Sequence, residues 1–236
     1  MLNIRPSNTR GYANHGWLES FHSFSFSSYY DPAHMGFSVL RVINDDKVAP
    51  ATGFGMHGHQ DMEIITYMLA GELRHTDSMG NGSVIRAGDV QRMTAGTGVR
   101  HSEMNASDKT TAHLLQIWIE PATLNLAPGY EEKTISVENK LNRWALIASP
   151  DAWDGSLKVH QDVTLCATVL EAEHSLPLEV SEGRSAYMHV ARGAVEINGE
   201  RLATGDALKI EDATKLEMRA HEESEVLWFD LPGNKK

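Results

Sequence analysis

The chain has 236 residues, enough for one large β domain or two smaller ones, each burying its own core. Its single cysteine, Cys166, excludes an internal disulfide and a cysteine-based zinc site and points to a reducing, cytoplasmic setting. A formal net charge of -11 disfavours direct binding to a phosphate backbone. The opening Met1 to Asn8 lacks the apolar stretch of a secretory leader and no run reaches membrane length, so no membrane partner is expected.

In chain order, Phe37 to Ile43, Glu63 to Leu69, Leu114 to Ile119 and Glu225 to Phe229 are short runs rich in β-branched and aromatic residues, separated by Gly, Asn and Asp turn signals. The pattern is all-β. Trp144 to Ala148 and the acidic stretch near Glu131 supply at most short helices or connections. A weak internal echo joins the two halves. Tyr67 to Gly71 leads to Ala87-Gly88-Asp89-Val90 and closes on Gln116 to Pro121, while Tyr187 to Gly193 leads to Thr204-Gly205-Asp206-Ala207 and closes on Leu227 to Pro232. Such an echo is compatible with duplicated antiparallel barrels. Pro121, Pro128 and Gly129 interrupt the pattern, and the expected division is 1–130 and 131–236.

His57-Gly58-His59 and His101-Ser102-Glu103 carry the chemistry. Side chains alternate along a strand, so each pair points both members the same way, and nitrogen and oxygen donors from two strands can converge on one divalent transition metal. Gly96 and Gly98 allow tight turns just before the second pair. The C-terminal half has His160, His174, His189 and His221 scattered, with no such pair, so one metal is expected, in the N-terminal half. Glu63 follows His59 by four, an even offset that keeps it on the ligand face of an unbroken strand, so spacing alone leaves it as a rival to Glu103 or as a carboxylate orienting a ligating imidazole. His22, His75 and His113 read as packed or hydrogen-bonded residues. Phe54, Met56 and Met93 could line an apolar pocket, and Arg100 should turn away from the metal.

His57, His59, Glu63 and Gly71, followed by Gly98, His101 and Asn105, resemble the two cupin motifs, with one extra residue before Gly71 and Thr94 standing near the usual proline. A closer resemblance, to the pirin family of bicupins, rests on His15-Gly16-Trp17-Leu18, His22-Ser23-Phe24-Ser25-Phe26 and Tyr29-Tyr30-Asp31-Pro32. It continues through Met35-Gly36-Phe37, Arg41 to Asp46, Thr94 to Gly98 and Asp154 to His160. It implies two antiparallel β-barrels of the double-stranded β-helix or jelly-roll type. It also implies a metal site of His57, His59, His101 and Glu103 in the first barrel, with Glu103 preferred over Glu63 and acting as the catalytic base. The implied metal is Fe2+, with Ni2+, Co2+, Mn2+, Zn2+ or Cu2+ as alternatives.

The resemblance further implies a dioxygenase that opens the central ring of a flavonol such as quercetin with O2 and releases carbon monoxide. The alternative it raises is a redox-responsive metal protein acting through protein partners. A monomer is expected.

Overall fold

The computed structural model describes residues 3–233. Two β-barrels are built on the same plan, each from a seven-stranded and a four-stranded sheet. In the first barrel Glu63–Ala70 lies within the large sheet, flanked by Asp89–Thr94 and Ala112–Ile119. In the second, Arg184–Arg192 takes that place between Ala207–Ile210 and Ser224–Pro232. The echo in the sequence is thus a repeat of topology: Tyr67 and Tyr187 are both buried, and the turn glycines Gly71 and Gly193 both have positive φ, 72° and 81°.

The barrels exchange outer strands. Gly129–Thr134 pairs with Asp89–Thr94 of the first large sheet, and Asn3–Arg5 pairs with Ala207–Ile210 of the second. The division expected at 130/131 therefore falls inside a strand that belongs to the first barrel, while residues 3–5 belong to the second. The physical reason is edge satisfaction: each large sheet has its outer N–H and C=O groups covered by the connecting or leading segment.

Two short stretches differ from expectation because long-range pairing makes both of them strands. Ala145–Ser149 is a strand paired with Thr164–Leu170, with Ile147 and Ala148 in the core, and the acidic stretch is the outer strand just described. Among the described residues the α-helix is one turn, Val137–Lys140. Among the described residues no helix is long and apolar enough to cross a membrane.

The outward faces of the two large sheets pack against each other, with Phe24 and Phe37 of the first side against Tyr187 of the second at ring separations of 5.4 and 5.9 Å. Burying such rings is the main adhesive between barrels. A buried polar clasp sits at the same junction, where the Tyr67 hydroxyl donates to Glu225 Oε1 at 2.6 Å and Lys140 Nζ donates to the same oxygen at 2.5 Å.

Candidate metal centre

Gly53–His59 and Val99–Asn105 are neighbours in the four-stranded sheet of the first barrel, with His57 opposite His101 in register. Alternation makes His101, Glu103 and Asn105 the buried members of their strand and leaves Arg100 exposed. A register shift between His101 and Glu103 bends the strand, and Gly53 is required there because a Cβ would lie 2.2 Å from the Glu103 carbonyl oxygen. Gly96 is held equally tightly before the second pair: a Cβ would meet the Leu126 carbonyl at 2.0 Å.

The three imidazoles converge. Ring centroids are 4.5 Å apart for His57 and His101, 4.7 Å for His57 and His59, and 4.9 Å for His59 and His101. His57 Nδ1 donates to the Gly55 carbonyl at 2.8 Å, which leaves Nε2 as the lone-pair nitrogen, and that atom faces His101 Nε2 at 3.1 Å. Two nitrogens about 3 Å apart have the separation of adjacent corners around one ion at about 2.1 Å, so the donor set fits a divalent metal. Burial lowers the His59 pKa to about 4 and that of His101 to about 3, so both rings stay neutral donors at physiological pH.

Glu103 lies on the same cavity but in a second, wholly buried group with His101 and His75. Thr66 Oγ1 and Gln91 Nε2 donate to its Oε1 at 3.1 and 2.8 Å, and Gln116 Nε2 donates to Oε2 at 2.7 Å. Burial raises its pKa to about 7 against the pull of these donors. The donors share one row of the large sheet, where Gln91 pairs with Thr66, Thr66 with Gln116, Gln116 with Asn44 and Asn44 with His22. Across five strands they form one polar rung facing the ligand strands. Sequence reasoning missed this rung because its members lie far apart in the chain and become neighbours only through register.

Glu63 points elsewhere. Strand Gly53–His59 ends at His59 and the next begins at Glu63, with Asp61 between them at φ 48°, so the even offset from His59 does not carry through. The Glu63 carboxylate faces the junction between barrels, accepting from Thr94 Oγ1 at 3.1 Å and lying 3.3 Å from His160 Nδ1. It therefore touches none of His57, His59 and His101. Burial raises its pKa, opposed by Arg92 and His160.

Of the other singled-out histidines, His113 is paired with Asp45 at 2.7 Å and His22 with Asn44 at 2.8 Å, as packed strand residues. His75 is bonded to Asp77 at 3.2 Å and also reaches the Glu103 group. Phe54 lines the cavity, whereas Met93 packs beneath it beside Ile64 and Val99, and Met56 is 49% exposed. The cavity measures about 450 Å³, and its apolar walls include Trp17, Phe26, Phe54 and Trp118. Trp17 meets Phe54 edge-on at 5.1 Å and Phe26 meets Trp118 at 5.4 Å, a lining suited to a flat aromatic molecule.

Comparison with known proteins agrees with this architecture. Residues 3–119 match the family model for Pirin and residues 146–231 that for the quercetinase C-terminal cupin domain. Quercetin 2,3-dioxygenase of Escherichia coli (strain K12) is 48% identical over 233 residues, covering 98% of this chain and 99% of that one. The crystal structure of YhhW from Escherichia coli superposes with a TM-score of 0.95 at 47% identity, covering 100% of both chains. The bacterial pirin YhhW in complex with nickel(II) superposes with a TM-score of 0.94 at 47% identity, covering 99% of this chain and 100% of that one. Shared sequence over the full length and a shared two-barrel fold lead to one conclusion: the chain belongs to the pirin family of bicupins.

Proposed function

We propose that this protein opens the central ring of a flavonol such as quercetin with O2, releasing carbon monoxide and leaving a depside, at a metal held by His57, His59, His101 and Glu103. The observation that carries the reading is the pair of facing nitrogens, His57 Nε2 and His101 Nε2 at 3.1 Å, at a cavity of about 450 Å³ walled by aromatic rings. Its kinship with quercetin 2,3-dioxygenase and its histidine cluster make the chain a metal-dependent oxidoreductase with a divalent metal cofactor. Iron(II) is the first choice for that metal; the nickel(II) bound by the YhhW relative makes nickel the second.

When bound, the ion supplies a Lewis acid for the substrate hydroxyl and a redox-capable centre for O2. The chain's own groups do the rest. Trp17, Phe26, Phe54 and Trp118 hold the flat substrate and exclude water. Glu103, on the same cavity as the imidazoles, accepts the proton of the flavonol 3-hydroxyl. Thr66, Gln91 and Gln116 fix that carboxylate, so the base is positioned before the substrate arrives.

An aerobic assay of the metal-loaded protein with quercetin tests this: one O2 consumed and one carbon monoxide released per flavonol, and neither with apo protein. Binding without O2 uptake across several divalent metals would overturn the dioxygenase reading and put redox-dependent partner binding in its place.

A further inference from the structure

The cavity has a polar wall away from the histidine cluster. Ser20, Asn44 and Asp46 line it and are 1%, 3% and 2% exposed. Asp46 pairs in register with Ser20 on one side and Leu114 on the other, which places it one row beyond the His22–Asn44–Gln116 part of the rung. Two acceptors in this wall, Asp46 Oδ1 and Gln116 Oε1, are buried with no hydrogen-bond partner. The Gln116 orientation follows from its amide nitrogen, which donates to both Glu103 and Thr66 and so turns the oxygen away from them.

Neither free acceptor has a part in holding the metal or fixing Glu103. A buried acceptor without a donor is costly, and a donor brought by a ligand relieves that cost. The Ser20 hydroxyl is already engaged with the Asp46 carboxyl and lies 3.4 Å from His22 Nδ1, so the open partner is Asp46 Oδ1, and the group that matches it is a hydroxyl that donates. A flat aromatic molecule already held at the histidines would bring such a group on a second ring.

We infer that Ser20 and Asp46 form a hydroxyl-reading subsite, which selects aromatic substrates carrying a phenolic hydroxyl separate from the one that meets the metal cluster. The flavonol class rests on the function proposed above; the hydroxyl preference rests on the wall itself. A site built to bond a hydroxyl discriminates strongly against the analogue without it, because its own buried groups are then left unpaired.

The test measures binding to metal-loaded protein under nitrogen, read by quenching of tryptophan fluorescence, with Trp17 and Trp118 in the cavity wall as reporters. Two probe pairs are compared, quercetin with 3-hydroxyflavone and 2,6-dihydroxynaphthalene with 2-naphthol. The wild type should favour the hydroxyl-rich member of each pair by about tenfold or more, and Asp46→Ala should remove most of that preference. Asp46→Asn, which keeps an acceptor oxygen, should retain it. Asp46→Leu serves in place of the alanine variant should that fail to fold. If flavonols do not bind but an Asp46-dependent preference for 2,6-dihydroxynaphthalene remains, the subsite stands and the flavonol reading falls. An unchanged preference in both pairs when Asp46 is replaced by Ala or Leu overturns the subsite.

Discussion

The two barrels share the pairing order of their central strands, yet among the described residues only one is hollow and polar inside. Gly53–His59 and Val99–Asn105 of the first occupy the places held in the second by Ser175–Val180 and Thr214–Ala220. Where the first presents His57, His59, His101 and Glu103, the second presents Leu176, Leu178, Leu216 and Met218 to a continuous apolar core. The same holds for the facing sheet, where Met188, Val226 and Trp228 fill the interior. A barrel interior can thus be filled for stability or left open for chemistry, and here one chain does each once. The filled barrel also braces the open one, because its outer face forms half of the buried junction.

The comparison breaks most visibly at the ligands. Replacing His57 and His59 together by Ala should take the bound metal from one per chain to none by elemental analysis, with turnover lost and the fold kept. Full metal content in that variant would falsify the site. In the second barrel, Leu178→Ala leaves a cavity in a close-packed core and should cost ~2–5 kcal/mol in urea unfolding without altering metal content. Loss of metal with little loss of stability would show that the two barrels are not divided in this way.

A third test concerns the junction. His189 is 0% exposed with both ring nitrogens unpartnered, and burial lowers its pKa to about 4. The unfolded chain binds this proton below about pH 6.5, so the contribution is complete above that value and is lost as the pH falls towards 4, by roughly 3 kcal/mol at most. His189→Leu should flatten the acid limb of the stability–pH curve between those values; an unchanged slope would mean that the buried ring is not its source. The smallest effect separates two carboxylates. Glu103→Gln should damage metal binding or turnover more than Glu63→Gln, whose effect should stay within the ~10–100-fold typical of losing an outer-shell partner. The reverse ranking would move the acidic ligand to Glu63.

The histidine pairs were legible in the sequence because strand alternation is local: two residues apart means one face, whatever the rest of the chain does. The duplicated plan was legible for a similar reason, since turn glycines and a closing aromatic strand recur in each half. Long-range pairing was not. The strand Gly129–Thr134 belongs to the first barrel only through its hydrogen bonds to Asp89–Thr94, and nothing in its own composition reveals that partner. Glu63 shows how a local rule fails, because one positive-φ residue, Asp61, resets the face on which the next strand begins. The Glu103 cradle needed register across several strands, so Thr66, Gln91 and Gln116 read as ordinary polar strand residues until they were seen side by side.

Anomalous diffraction at the absorption edge of the bound metal tests the division between barrels most directly, using crystals of the wild-type protein loaded with iron(II) or nickel(II). A single peak among the imidazoles of His57, His59 and His101, with Glu103 completing the ligand set and no peak in the second barrel, is the expected result. A peak elsewhere, or a second one of comparable height in the C-terminal barrel, would contradict it.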